Sequence, residues 1–506
     1  MNVTSTPRKI IIVGGGTAGW MTALMYGDAL IKQGVEITVL ESPTVGVIGV
    51  GEGSTPALKR YFDSLGIQES EWMPACNATY KSGIGFDGWS TKPGYDNYFH
   101  QFATMVDNLT LPNFMENVHA RQRGVHIDAR PNRYFLSARL SEDCLAPKSS
   151  ENFPFFTNYG YHFDATLLGQ FLHKRAVALG VQYKSCHVTH AVMNERGDIA
   201  AVATQEGEQL AADFFVDCSG FSALLIGKAL ETPFVSYADN LFNDSAIAMP
   251  SEIGDKIPTK TVSSAMRHGW AWKIPLTNRY GNGYVYSSSF VSADEAEHEL
   301  RSKLGLLESD TQARHLKMKL GRVTKHWNRN VLAVGLSQGF LEPLEATALY
   351  LTQMTAAIFL LFLEKGDLSD QARDVYNQQI HDYFDSHRDY IVAHYKTNSR
   401  TDTPYWRANA ENLDSVSDSL KHIFQTWIEG RDLAAEIRRQ NIEHFYPVGS
   451  WYSLLAGMGS FPDIGPATGP DLVAPLDDFM RRCALNFRDH RTVLNEMAEQ
   501  AKASSM

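Results

Sequence analysis

Six residues near the start of the chain, Gly14-Gly15-Gly16-Thr17-Ala18-Gly19, have the types and spacing to hold a pyrophosphate, and an acid, Glu41, follows 22 positions after the last of them. Small residues at such a turn let backbone N–H groups reach an anion at a helix N-terminus, where the helix dipole favours negative charge. Gly14 permits the tight turn, Gly16 leaves room for the phosphates, and Gly19 lets helix and strand lie close. Glu41 stands where a ribose hydroxyl would bind. Glycine turns are common, so the flanks decide. The run Ile10-Ile11-Ile12-Val13 precedes the turn, residues 20–31 read as a helix, and a second apolar run, Ile37-Thr38-Val39-Leu40, ends in Glu41. That is strand, glycine turn, helix, strand and acid. The fingerprint alone does not choose between FAD and NAD.

Further elements must complete this cofactor domain. Asp164 is a good N-cap and Gly180 a good C′ residue, bracketing a helix over residues 165–179. Short alternating strands follow, with turns at Glu195-Arg196-Gly197-Asp198 and Glu206-Gly207, and they close on the strand Phe214-Phe215-Val216-Asp217. A third strand-to-glycine unit ends at Gly335 and leads to a long helix after Pro343. The pattern predicts an α/β fold, a Rossmann-type parallel sheet with an inserted antiparallel meander. Residues 457–475, with four Pro and four Gly, read as an extended surface segment.

The chain has 506 residues and a net charge of −11, so nucleic acid and anionic membranes, which select basic faces, are poor partners. Its five cysteines, Cys76, Cys144, Cys186, Cys218 and Cys483, are odd in number and lack CxxC spacing, so neither a disulfide framework nor a cysteine zinc site is implied. Only nine mostly polar residues precede the first apolar run, too few for a signal-peptide core. A reducing, cytoplasmic location is the expectation. The apolar stretch 346–363 is interrupted by Thr347, Thr352, Gln353 and Thr355 and reads as a buried helix rather than a membrane span. No HExxH spacing and no GxSxG elbow is present, which leaves metal and hydrolase chemistry unsupported.

Four blocks together carry a resemblance: the turn Gly14 to Gly19; Gly49-Val50-Gly51-Glu52-Gly53-Ser54-Thr55-Pro56; Trp270-Ala271-Trp272-Lys273-Ile274-Pro275; and Gly339-Phe340-Leu341-Glu342-Pro343-Leu344-Glu345. In kind, order and spacing they resemble the flavin-dependent halogenases, in the tryptophan halogenase-like branch. The resemblance implies an FAD module over residues 1–365, discontinuous, with substrate-pocket insertions around 75–150 and 235–325. A helical part, 366–506, would complete the substrate site. FAD would be held by Gly14, Gly16, Thr17, Ala18, Gly19, Glu41, Gly51, Glu52 and Gly335. It would arrive as FADH2 from a separate reductase, since no second nucleotide fingerprint is evident. A homodimer is left open.

The implied chemistry is oxidation of halide by reduced flavin and O2 to hypohalous acid, which crosses the protein to an aromatic substrate. Trp270, Trp272 and Pro275 would form a wedge between flavin and substrate; without the rest of the pattern, two aromatics at period two are simply core. Lys81, in the segment Ala78 to Phe86, matches the family's essential lysine, and alternation puts it on the face opposite Ile84 and Phe86. Its ammonium could hydrogen-bond hypohalous acid, or its free amine could take the halogen. Glu345 matches the catalytic glutamate; locally, Glu342 or Glu345 could equally cap the helix that Pro343 starts. Thr347 and Ala348 would bind halide, bromide or chloride. Here the family's usual Ser and Gly are replaced by Ala346 and Ala348, and Ala348 gives up easy access to positive φ. Bromide, the less strongly hydrated ion, should therefore be used better than chloride.

For the arene, the run Tyr98-Phe99-His100-Gln101-Phe102 offers His100 and a stacking Phe102, with Trp451 expected to face Phe102 from the other side. The only acid near residues 442–452 is Glu443, so indole or a larger substituted indole is expected rather than free tryptophan. The segment 394–406 also resembles part of the family, but no chemistry attaches to it. Two rivals share the cofactor domain. An aromatic hydroxylase needs neither the tryptophan wedge nor Lys81, and a non-catalytic flavoprotein would give Lys81 and Glu345 no shared role.

Overall fold

The β-branched run Lys9–Val13 lies at the heart of a six-stranded sheet. A computed structural model of the chain describes residues 7–44, 46, 51–463, 465 and 471–504; Gly49 and Val50 of the second glycine block lie outside them. The strand order is Trp327–Asn328, Val331–Ala333, Phe214–Asp217, Lys9–Val13, Glu36–Glu41 and Gln182–Ser185, all parallel except the first. Parallel strands need crossovers, and the glycine turn feeds the first of them, the helix Thr17–Leu30. The helix Ala165–Ala178 begins where expected, with the Asp164 carboxylate accepting from the Thr166 and Leu167 N–H groups at 3.0 and 3.1 Å. The three-stranded antiparallel meander Val188–Met193, Ile199–Thr204 and Gln209–Ala211 follows, as its turn residues predict.

A second sheet of seven strands runs Arg314–Lys317, Ser245–Ser251, Tyr280–Tyr286, Gly269–Pro275, Lys260–Met266, Gly83–Asp87 and Asn97–Gln101. It carries the tryptophan motif on one strand and His100 on another. Between the sheets, Thr79–Lys81 pairs with Gly160–Asp164, which also pairs with Gly51–Gly53. Alternation through residues 78–86 predicted one continuous strand, and the structure differs. The chain changes sheets at Ser82, whose N–H donates to Thr259 O at 2.7 Å and whose carbonyl accepts from Phe102 N at 2.9 Å. Two non-local bonds outweigh local β propensity there.

The apolar stretch after Pro343 becomes a short turn and the helix Ala348–Lys365. By length and composition Leu344–Lys365 could cross a membrane, yet half of its apolar window is buried inside the protein. Tyr26 OH donates to Ala356 O at 3.1 Å and ties it to the first helix. Beyond it come the helices Asp370–Thr397, Pro404–Glu411, Asp418–Ile428, Leu433–Arg439, Val448–Gly457, Ala474–Ala484 and His490–Ser504. One continuous buried cluster reaches from Ile10 to Leu494, so the helical part shares the core of the sheets. The segment 457–475 is not extended throughout. Gly457 ends a helix, Met458 is fully buried and Pro475 stands in the first turn of the next; residues 464 and 466–470 lie outside the described set.

Candidate functional site

The glycine turn has the shape its spacing predicts. Gly14 has φ +119°, and a Cβ there would lie 2.1 Å from Cys218 O. A Cβ on Gly19 would fall 1.9 Å from Gly14 O, so helix and strand pack with no room for a methyl. Gly16 faces open space, with nothing within 4 Å of where its Cβ would stand, and it caps the helix with no side chain and no acid in the first turn. An open cradle at a bare helix N-terminus fits a pyrophosphate. The Glu41 carboxylate lies against Gly15, 2.3 Å from where a Cβ would be, and burial raises its pKa. Gly335, at φ +73°, backs onto Ala18. Gly51 packs on Gly281 and Ile274, and burial, with Asp164 adding, pushes Glu52 up to about 7.

These residues fit FAD, and the cradle gives a test. Gly16→Ala should keep apoprotein stability within about 0.5 kcal/mol, because Gly16 has φ −73° and an open face, but should weaken FAD binding by fluorescence titration. Gly19→Ala should lower stability by about 1–3 kcal/mol as well, since backbone cannot move aside as a side chain can.

Asp217 organises the loop beside the cradle and carries no sequence motif. Fully buried, it accepts from Ser219 N, Leu225 N and Ile226 N at 3.0, 2.8 and 2.8 Å, and from Ser219 Oγ at 2.6 Å.

Lys81 is 0% exposed, and its Nζ has no hydrogen-bond partner among the described residues. Burial pushes the amine down to about 7, against the opposing pull of Glu345. The ring of Phe102 lies 5.2 Å from Nζ, and a Cβ on Gly53 would be 3.2 Å from it. Beside it stands His162, whose Nδ1 is 3.1 Å from Thr79 Oγ and whose Nε2 is 3.0 Å from Thr261 Oγ. Thr79 Oγ donates to Pro275 O at 2.7 Å, which leaves it to accept from Nδ1–H. Burial, with Lys81 adding, holds His162 well below the usual histidine range. The lysine strand is thereby tied to the last residue of the tryptophan motif.

Trp270 and Trp272 are both buried on Gly269–Pro275, with ring centroids 6.3 Å apart. Gly283, opposite Trp272 on the next strand, is bare; a Cβ there would fall 2.0 Å from the indole.

Glu345 is buried between two histidines. Its oxygens lie 2.8 and 3.0 Å from His100 Nδ1, and Oε1 lies 3.1 Å from His394 Nε2. Burial opposes the charge, but the two imidazoles outweigh it and hold the carboxyl well below the usual range. Its backbone is left-handed, φ +71°, as is that of Ala346, φ +56°. Glu342, three residues earlier, is equally buried but accepts from Asn243 Nδ2 at 2.8 Å, and burial pushes it up to about 7. Neither glutamate caps the helix, which starts at Thr347 with no side-chain cap.

Thr347 is buried with its Oγ unpartnered among the described residues, at the bare start of that helix, and Ala348 is exposed on the first turn. Thr347 has φ −86° and Ala348 is helical, so positive φ falls on Glu345 and Ala346 and no glycine is required at 348.

His100 Nε2 is 2.8 Å from Ser450 Oγ, and the helix Val448–Gly457 that carries Ser450 also carries Trp451. Trp451 meets Tyr390 edge-on at 4.9 Å, and Tyr390 stacks on Tyr446 at 3.6 Å. Phe102 lies beside the lysine. The sequence did not single out Tyr390, Ser450 or His162, because none stands in a motif; His394 did stand in the segment left without chemistry.

Residues 9–468 match the tryptophan halogenase family. Tryptophan 6-halogenase ThaL of Streptomyces albogriseolus is 37% identical over 486 residues, 90% of each chain. Among solved structures, tryptophan 6-halogenase SttH of Streptomyces toxytricini superposes with a TM-score of 0.84 at 32% identity, covering 98% of this chain and 100% of that one. Xcc4156, a flavin-dependent halogenase from Xanthomonas campestris, gives 0.82 at 30%, covering 97% and 98%. With the glycine cradle, the tryptophan strand and the buried lysine and glutamate in place, the chain belongs to the tryptophan halogenase family and is a flavin-dependent halogenase.

Proposed function

We propose that the enzyme halogenates an indole-type arene with hypohalous acid made from O2 and halide, using FADH2 from a separate reductase. Bound reduced flavin would supply the electrons that activate O2, and the activated oxygen would oxidise halide to hypohalous acid with release of water. The chain's own residues do the rest. Gly14, Gly16 and Gly19 shape the cradle, and Trp270, Trp272 and Pro275 wall the oxidising side from the arene. The uncapped N–H groups near Thr347 and Ala348 hold halide. Lys81, the observation that carries this reading, is a buried amine without a partner that shares an interior with Glu345. Its free amine takes the halogen from hypohalous acid, releasing water, and passes it to the ring; Glu345 takes the ring proton, and a proton returned to the nitrogen restores the amine.

His100, Phe102 and Trp451 are assigned to the arene side, His100 through its hold on Glu345. SttH and ThaL are tryptophan halogenases by name, but indole or a substituted indole suits this chain better. Glu443 is exposed, and the buried acid near Trp451, Asp389, is already bound by Arg388 and Ser417 at 2.8 and 2.7 Å. No carboxylate of that segment remains for an α-ammonium group. The described cysteines are all unpaired, which suits a reducing cytoplasm.

The test is incubation with FAD, a reductase, NADH, O2, equal bromide and chloride, and a panel of indoles, read by mass spectrometry. A brominated indole should dominate, because chloride, the more strongly hydrated ion, loses more at a site with a methyl on its wall. Mainly chlorinated product overturns the bromide preference, and hydroxylated product overturns the function.

A further inference from the structure

His394 lies fully buried on the helix Asp370–Thr397. Its Nδ1 is 2.9 Å from Tyr390 O, one turn earlier, and its Nε2 is 3.1 Å from Glu345 Oε1. A carbonyl oxygen only accepts, so Nδ1 carries a hydrogen. A neutral ring would then turn the bare lone pair of Nε2 toward a carboxylate oxygen, two acceptors facing each other in a dry interior. His100 has no such conflict: Nδ1–H donates to Glu345 while Nε2 accepts from the Ser450 hydroxyl.

We propose that His394 is a positioning residue for Glu345 and that one proton is held in the contact between His394 Nε2 and Glu345 Oε1. The proposal rests on the reading in which Glu345 serves the arene. Besides the two imidazoles, the titratable groups that feel the charge of Glu345 are Lys81, Tyr98, Tyr390, Tyr446 and His387. Burial keeps the three tyrosines neutral and pushes His387 down to about 4, so none of these four compensates a carboxylate at neutral pH. Lys81, pushed down to about 7, is a partial counter-charge at best. The compensating proton therefore falls to His394. The same contact pins a residue in left-handed backbone, which persists only where its surroundings over-determine it.

The experiment uses the FAD-loaded enzyme and its variants. Nitrogen-15 NMR of histidine-labelled protein at pH 7.5 should show one buried ring protonated on both nitrogens, absent in His394→Gln. A bare Nε2 on His394 would overturn the proposal. In turnover, His394→Phe should lower kcat for indole about 10- to 100-fold with KM within about threefold, because a hydrogen bond to a buried charge is lost. His394→Gln, which can still donate to Oε1, should recover part of that loss. His394→Phe should cost little more in a Glu345→Gln background; an equal loss in both backgrounds would show a merely structural role and sink the inference. If Glu345→Gln alone retains full rate, the role assigned to Glu345 fails, while the NMR result still reports the proton on His394.

Discussion

Lys81→Met will give protein that binds FAD and is more stable than its parent below pH 7, yet yields no halogenated indole. The lysine is fully buried with an unpartnered amine, and burial pulls it from 10.5 to about 7. Its unfolded pKa is the higher, so between about pH 7 and 10 the unfolded chain binds more protons and stability rises with pH. Below about 7 the full cost is present. Removing it should stabilise the protein by on the order of 3 kcal/mol at pH 6.5, with the gain fading toward pH 10. Denaturant unfolding at the two pH values measures this. Halogenation should fall more than about 10³-fold. In the parent, the rate should rise with pH through about 7 as the amine is freed. A rate that instead falls above pH 7 would show that the ammonium is the working form.

Glu345→Gln will cost about 10²-fold in kcat with flavin binding unchanged. The mechanism asks a carboxylate to stabilise a developing ring cation and take its proton, and the amide can do neither. Two imidazoles hold the carboxyl well below the usual range, so it is ionised throughout the working pH range. Its contribution to stability is present above the unfolded value and is lost only as pH falls through the lower folded one, so Glu345 places no limb on activity between pH 5 and 8. Glu342 is the control. Burial pushes it up to about 7, so at pH 6 it is mostly neutral, and Glu342→Gln should keep its rate within a few-fold there. A larger loss from Glu342→Gln than from Glu345→Gln, measured with indole and bromide at pH 6, would exchange their roles.

Much of the cofactor half was legible because its rules are local. Gly14 takes a φ of +119°, Gly19 meets Gly14 O within the same turn, and Asp164 caps its helix through N–H groups two and three residues on. The substrate half was legible by resemblance but not by pattern. Continuity of the lysine strand failed at Ser82, where two long-range hydrogen bonds move the chain between sheets. Trp451 packs edge-on against Tyr390, a contact that no spacing in the sequence announces. His100 also lies against Glu345, 245 residues away in sequence, which no local rule relates.

By itself the sequence determined the parallel sheet, the pyrophosphate turn and the family, because glycine sterics, helix caps and residue spacing act over a few positions. Only the tertiary structure decided that Lys81 is a partnerless amine, that Glu345 rather than Glu342 is held ionised, and that His394 faces it from 49 residues away in sequence. Ionisation of a buried group depends on what desolvates and pairs it, and those neighbours come from chain segments that no local rule relates.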